Sequence, residues 1–423
     1  MVHKLRPATD SFYWHQSNLG FKMLAIELFA GAGGLGIGLS NAGFKPVEIV
    51  ERDRWCCDTI RRNRKLADSV IARWPDPIQA DIQRQSFHHW AGKVALVSGG
   101  PPCQPFSVGG RHRANADSRD MWSESVRVVR EVKPQAFVFE NVKGLTRSTF
   151  ATYVQYIERQ LEYPEIEIGY DEVWIDHLHR LEQHHTSRKS DDGLRYRVIY
   201  EVLNAADYGV PQKRERVVFV GIRSDLDLSW SFPKPTHSLD SLIWDQGRSM
   251  SYWDKHQVPR ALRHLDTRLA KRAERMAERP IEDAWSTVRD ALTGIADPER
   301  CPQAAQEISD HRFQGGARSY PGHTGSRLDS PAKTLKAGVH GVPGGENMLV
   351  REDGSVRYFS VRESALLQTF PRNYRFEGSW SEVMRQLGNA VPTLLAEKVG
   401  RRLYAELERL DHAIQPSGEA ESC

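Results

Sequence analysis

Short apolar runs, separated by glycine-rich turns and amphipathic stretches, organise the first half of the chain. Met23–Leu28 is an apolar run that stops at a glycine-rich loop, the pattern of a buried strand. Gly31–Leu39 leads into a helix ending near Gly43. Val47–Val50 predicts a second strand and Arg54–Asn63 a polar helix. Val94–Val97 and Ala136–Phe139 predict further strands, with helical spacing over Met121–Val132 between them, and Arg216–Ile222 predicts one more. Strands alternating with helices at these intervals argue for a parallel α/β sheet. The alternation stops after Ile222. From Leu226 to about Gly345 glycine and proline punctuate a stretch without βα pattern, which marks a second domain. Ser381–Leu410 reads as helix, with Leu394, Leu395, Val399 and Leu403 as its apolar positions, and Gln415–Cys423 as a tail.

Composition narrows the class. No apolar run in the 423 residues approaches the roughly 20 needed to cross a bilayer, so no membrane span is expected. The 11 Trp, 15 Phe and 13 Tyr are enough to fill a core, which excludes a wholly disordered chain. Five Cys make no disulfide framework, and MVHKLRPATDSFYWHQ has no apolar signal region, so a cytoplasmic protein is expected. The net charge of +3 says little by itself. Arginines crowd between Arg248 and Arg318, interleaved with Trp244, Trp253, Trp285 and Phe313. These are either solvated helix faces or a surface for an anionic partner.

Candidate chemistry sits at the strand ends. Gly31, Gly33 and Gly36 satisfy G-x-G-x-x-G between a strand and a helix, and Glu51 follows at the end of the next strand. That arrangement suits any adenosine-bearing ligand, NAD or S-adenosylmethionine alike, and a tight turn alone would also use it. Cys103 follows Gly99-Gly100-Pro101-Pro102 at the carboxyl end of a strand, where a thiol is a candidate nucleophile and the prolines stiffen its approach. Cys56, Cys57, Cys301 and Cys423 lack that context. Glu140 ends the next strand, which puts a carboxyl on the same rim as Cys103. Arg214 and Arg216 alternate on one side of an extended segment and could hold a phosphate or polarise a carbonyl oxygen, or simply form surface ion pairs. His177, His179, His184 and His185 lack acidic or Cys partners at metal-ligand spacing, so a solvated helix or loop is expected there and no metal site.

In this order the motifs resemble the DNA (cytosine-5) methyltransferase family, over most of the chain from about Leu24 to Leu403 except the stretches near 160–195 and 226–320. Phe29-Ala30-Gly31-Ala32-Gly33-Gly34 resembles the cofactor loop, Gly100–Gln104 the nucleophile motif, Glu140-Asn141-Val142 the base-binding motif and Gln212–Arg216 the arginine motif. Arg327-Leu328 with Pro331 and Thr334-Leu335 resembles the motif supporting the recognition domain, and Gly388–Pro392 the closing motif. Asp117–Asp120 departs from the family, which usually has glycine at the last of these positions.

The resemblance implies a Rossmann-like sheet that uses S-adenosyl-L-methionine, with a smaller, irregular target-recognition domain. The catalytic unit would span 20–225, completed by 380–411, with recognition at 226–345, a hinge at 346–379 and flexible termini at 1–19 and 412–423. The resemblance assigns Cys103 as nucleophile, Glu140 to ring nitrogen 3 and the amine of a flipped cytosine, Arg216 to the base oxygen and Arg214 to support of the site or a phosphate. It assigns cofactor contacts to Phe29, Ala30, Gly31, Gly33, Gly34, Leu35, Glu51, Arg52, Asp81, Ile82, Pro101, Asn389 and Val391. Pro102–Arg113 would close over the base. The implied partner is duplex DNA, with a restriction nuclease as functional counterpart, no stable complex required, and a monomer as the acting form. A hydride-transferring enzyme would leave Cys103, Glu140 and Arg216 without joint purpose. An RNA-directed relative would not need so long a reading segment, and a non-catalytic DNA binder would not need the thiol and carboxyl.

Overall fold

The computed structural model describes residues 23–102, 121–187, 193–337 and 347–414, with side chains to residue 410. Cys103, the rest of the loop to Arg113, and Asp117–Asp120 lie outside the described residues, as do residues 1–22 and 415–423.

The first half follows the apolar pattern. Strand β1 is Met23–Leu28, followed by helix α1 (Gly34–Ala42), β2 (Phe44–Glu51), α2 (Arg54–Arg64), β3 (Ile78–Gln79) and β4 (Leu96–Gly99). Next come α3 (Trp122–Val132), β5 (Ala136–Val142), α4 (Ala151–Glu162), α5 (Trp174–Thr186), β6 (Tyr196–Asn204) and β7 (Glu215–Arg223). Period-2 alternation sorts the side chains to the two faces: in β5, Phe137 and Phe139 pack with Trp122 of α3, while Ala136 and Val138 face the opposite core with Leu39 of α1. Burying each such side chain stabilises the fold by roughly 1.5–3 kcal/mol.

The seven strands run in the order β3-β2-β1-β4-β5-β7-β6. The five strands β1 to β5 are mutually parallel. The expected parallel sheet is found in these five strands, while β7, also expected as a strand, is antiparallel to both β5 and β6. The link 205–214 between β6 and β7 is too short for a crossover, and a short link can only join antiparallel neighbours. The reversal matters for chemistry. It brings the start of β7 to the end of β5, pairing Arg216 with Val142 and Val218 with Glu140. A parallel β7 would have left Arg216 at the opposite rim.

The irregular part contains β8 (His237–Ser238), α6 (Leu239–Gly247), α7 (Ser251–Lys255), α8 (Thr267–Glu274), β9 (Asp283–Ala284), α9 (Val288–Ala291), α10 (Pro302–Gln306) and β10 (Ser326–Arg327). Its cores are small: Leu242, Tyr252, Trp253 and Val258 make one. Polar ties supply much of the order. Arg289 pairs with Asp329 and Glu352, and Arg351 with Asp297 and Glu299.

Residues 347–379 carry secondary structure of their own. β11 (Met348–Val350) and β12 (Val356–Tyr358) complete a three-stranded sheet with β10. Helix α11 (Val361–Leu367) starts in a capping box between Ser360 and Glu363. Beyond it Phe370, Tyr374 and Phe376 pack against Ile37, Ile49, Ile60 and Trp74 of the first half of the chain. The stretch read as one C-terminal helix is two, α12 (Trp380–Asn389) and α13 (Thr393–Ile414). Pro392 bars the helical conformation for the residue before it, so the chain breaks at Ala390–Pro392. α13 then packs along α1, so close that a Cβ on Gly38 would lie 2.3 Å from the Thr393 carbonyl oxygen.

The histidine stretch falls on α5, and His177 is buried rather than solvated, bonded to the Tyr156 hydroxyl at 2.9 Å and the Ile166 carbonyl at 2.8 Å. Burial lowers its pKa below the ordinary histidine value. Among the described residues no group of three or more His, Cys, Asp or Glu side chains could hold a metal ion, and no helix is long and apolar enough to cross a membrane.

Candidate active site

The strand order reverses between β1 and β4, and ligands of open α/β sheets bind where that reversal opens a crevice at the carboxyl ends. A cleft of about 1220 Å³ lies there. Its walls come from the ends of β1, β2, β4, β5 and β7, from residues 334–337 of the irregular part and from the end of α12.

One wall is the glycine loop. Phe29 has a φ of 51° and Gly31 of 54°, so the chain turns sharply on leaving β1. A left-handed phenylalanine is strained, and it sits on the cleft lining. The Gly31 N–H donates to Glu51 Oε2 and the Asp53 N–H to Glu51 Oε1, both at 2.7 Å. One carboxylate thus fastens the loop after β1 to the loop after β2. Burial raises the Glu51 pKa, opposed by these two donors. Helix α1 begins at the cleft with no cap from Gly33; Glu27 takes the Gly36 N–H of its first turn, while Gly34 and Leu35 of that turn line the cleft, where helix N–H groups suit a negatively charged ligand group.

The second wall carries the reactive rim. Glu140 and Arg216 form an ion pair, with Arg216 Nε 2.7 Å from Glu140 Oε1. Both are nearly buried, at 7% and 8% exposure. Burial raises the Glu140 pKa, and Arg216 and Arg214 oppose that rise. The result is a carboxyl that holds a proton more readily than a solvated one, beside a fixed cation.

Asn141, next to Glu140, fixes the neighbouring loop. Its amide donates to the Pro101 carbonyl at 2.9 Å, and its Oδ1 accepts from the Val142 N–H at 2.8 Å. The Pro102 carbonyl accepts from the Met121 N–H at 3.2 Å. The chain therefore leaves for Cys103 and returns from Asp120 at one point on the cleft wall.

Fourteen of the residues singled out from sequence line this cleft: Phe29, Ala30, Gly31, Gly34, Leu35, Glu51, Arg52, Asp81, Ile82, Pro101, Glu140, Arg216, Asn389 and Val391. Two do not. Gly33, with a φ of 84°, makes the turn into α1 behind the lining, where a Cβ would press on Trp74. Arg214 cannot reach a phosphate, because it is fully buried. Its guanidinium instead donates to the carbonyls of Leu335 at 2.9 Å, Gly388 at 2.7 Å and Ala390 at 2.8 Å. It braces the closing motif and residue 335 against the catalytic half. Gln212 joins that brace, accepting from the Leu335 N–H and donating to the Leu367 carbonyl.

Sequence reasoning missed Asn141, Gln212, Gln368 and Arg385. The first two lie inside motifs that had been noticed. Gln368, which donates to the Leu387 carbonyl, and Arg385, on the cleft lining, carry no local signal beyond their nearness to Gly388–Pro392.

A Rossmann-like sheet whose switch-point cleft gathers a glycine loop, a loop running on from paired prolines and a buried carboxyl–guanidinium pair is the architecture of a methyltransferase. The model of the C-5 cytosine-specific DNA methylase family matches residues 23–174 and 176–405, and the chain belongs to that family. It is a DNA cytosine-5 methyltransferase of the bacterial type. It is 32% identical over 384 residues to the Type II methyltransferase M.PspPI of Psychrobacter, a match covering 90% of this chain and 79% of the relative. It is 31% identical to M.XorII of Xanthomonas oryzae, with 91% and 85% covered. Among solved structures, a protein assigned as a DNA modification methyltransferase of an Escherichia coli prophage shares the fold with a TM-score of 0.55 and 20% identity, over 91% of this chain and 99% of that one. The Dnmt2 methyltransferase of S. pombe does so with a TM-score of 0.51 and 16% identity, over 92% and 99%.

Proposed function

We propose that this enzyme transfers a methyl group from S-adenosyl-L-methionine to carbon 5 of a cytosine flipped out of duplex DNA, through a covalent bond to Cys103. The observation that carries the reading is the meeting, in one cleft, of the Glu51-fastened glycine loop, the Pro101–Pro102 approach to Cys103 and the Glu140–Arg216 pair. The donor fits the residues present. Phe29 and Ile82 offer apolar faces, Glu51 a carboxylate for hydroxyl groups, and the N-terminus of α1 a site for a carboxylate. When bound, S-adenosylmethionine supplies an electrophilic methyl group.

The protein's part is to make carbon 5 nucleophilic. The Cys103 thiolate adds to carbon 6, and the electron pair of the 5,6 double bond becomes available at carbon 5, where the methyl group is accepted. Glu140 holds ring nitrogen 3 and can lend it a proton, which its raised pKa favours. Arg216 neutralises Glu140 and faces the base oxygen. Loss of the carbon 5 proton and departure of the thiolate then restore the aromatic ring. Extruding the base costs a few kcal/mol, offset by contacts in the cleft.

Residues 226–345 are proposed to read the target sequence, with arginine to guanine and Asn or Gln to adenine as the expected contacts. The Type II names of M.PspPI and M.XorII support a restriction-modification role, with a nuclease of the same specificity as counterpart. A radiolabelled methyl donor tests the reaction. Label should enter duplex DNA at cytosines locatable by bisulfite sequencing, and Cys103→Ser should reduce incorporation by more than about a thousandfold, as loss of a nucleophile does. Retention of a tenth of the wild-type rate would reject Cys103.

A further inference from the structure

We propose that Arg385 is a positioning residue for the nucleoside end of S-adenosylmethionine, acting through Asp53 on Glu51; this rests on the donor reading above. Arg385 lies on α12 and lines the cleft; Met384 and Leu387 of the same helix share a buried cluster with Ala30 and Ala32 of the glycine loop. Its Nη2 is 2.8 Å from Asp53 Oδ2 and 2.6 Å from Glu382 Oε2. Asp53 is the N-cap of α2, accepting from the Cys56 N–H at 3.0 Å. The Asp53 backbone N–H holds Glu51 Oε1, and Gly31 holds the other oxygen of the same carboxylate. One continuous line of bonds therefore runs from α12 through Asp53 and Glu51 to the glycine loop.

The neighbouring ties have another function. Gln386 accepts from the Thr59 hydroxyl at 2.8 Å, and Glu377 pairs with Arg62, which fastens α12 and its approach to the outer turns of α2. Gln386 also lines the cleft but ends on Thr59, whereas Arg385 ends on Asp53, the residue whose N–H orients Glu51. With Arg385 removed, Asp53 keeps its cap but loses its charge partner, and the loop between Glu51 and α2 loses its side-chain tie to α12, while the Gly31 and Gln386 bonds remain. The donor would then meet a cleft with a loosened acceptor for its hydroxyls.

The test is a double-mutant cycle read by calorimetric titration of S-adenosylhomocysteine into the full-length protein. Asp53→Asn keeps a good helix cap and removes only the charge. Arg385→Gln should weaken binding by about tenfold, the scale for loss of a charge-assisted bond. Asp53→Asn should do the same, and the double variant should be no weaker than either single one, because the two act in series. Arg385→Lys should recover part of the loss. The KM for S-adenosylmethionine should rise by the same factor and kcat should fall less, with DNA affinity in gel-shift titration unchanged. Wild-type affinity in Arg385→Gln overturns the proposal. So do single effects that multiply in the double variant, because Arg385 would then act independently of Asp53. Failure of the wild-type protein itself to bind S-adenosylhomocysteine would reject the donor reading of the cleft, and the proposal with it.

Discussion

Glu140 and Glu27 are both buried carboxyl groups, and their surroundings differ. Glu140 faces a guanidinium, which opposes the rise in pKa that burial causes. Glu27, at 2% exposure, has only neutral donors, the Gly36 N–H at 2.8 Å and the Ser98 hydroxyl at 2.9 Å. Burial pushes its pKa up from 4.5 to about 7, with those two bonds opposing the rise. The folded protein therefore keeps a proton that the unfolded chain releases, and stability falls as pH rises through this interval. At pH 8 the loss relative to a neutral side chain is about 3 kcal/mol, because each tenfold change in proton affinity is worth about 1.4 kcal/mol. Glu27→Gln should thus gain on the wild type by that amount between about pH 4.5 and about pH 7, measured as the difference in urea-unfolding free energy. Parallel stability curves for the two proteins would show that Glu27 is ionised in the fold.

At the scale of elements, legibility followed periodicity. β1 is found where its apolar run places it, and α3 starts within one residue of its expected position. β6 was invisible because it is an edge strand with a burial pattern that does not alternate: Ile199, Tyr200 and Glu201 are all exposed. Without β6 there was no reason to suspect a hairpin, and so no reason to reverse β7. α4 and α5 were hidden because their inward faces include Gln160, Glu162 and His177, which read as surface residues. Many of the cleft residues were more legible than the sheet, since they sit in short motifs, most of them after strand ends and one, at Asn389 and Val391, after α12. What could not be read was every contact set by distant chain, such as Arg214 on 335, 388 and 390. The α1–α13 contact is of that kind, and it is tight enough to test. An alanine at Gly38 would place its Cβ 2.3 Å from the Thr393 carbonyl and 2.4 Å from Ala396 Cβ. The overpacking cost of roughly 1–3 kcal/mol should outweigh the roughly 1 kcal/mol gained in helix propensity. Gly38→Ala should therefore lower unfolding free energy in chemical denaturation, and a more stable variant would mean that α13 shifts freely.

Across the whole molecule, three parts of the chain meet at one cleft. The parallel strands bring the glycine loop and the Cys103 approach, the antiparallel hairpin brings Arg216 to Glu140, and α12, more than 300 residues beyond β2, brings Arg385 to the cleft wall. Arg214 joins the irregular part at Leu335 to the chain at Gly388 and Ala390. Such an assembly has a purpose if a base is held and attacked there. The most direct test uses a duplex carrying 5-fluorocytosine at the position methylated in ordinary DNA. Fluorine on carbon 5 cannot leave as a cation, so once the methyl group has been accepted the bond from Cys103 to carbon 6 cannot be released. The account predicts a denaturation-resistant protein–DNA adduct that requires S-adenosylmethionine, fails with Cys103→Ser, and maps by mass spectrometry to the peptide containing Cys103. A wild-type protein that methylates the ordinary site but never forms that adduct would contradict the covalent mechanism, and an adduct mapping to Cys56, Cys57 or Cys301 would contradict the choice of nucleophile.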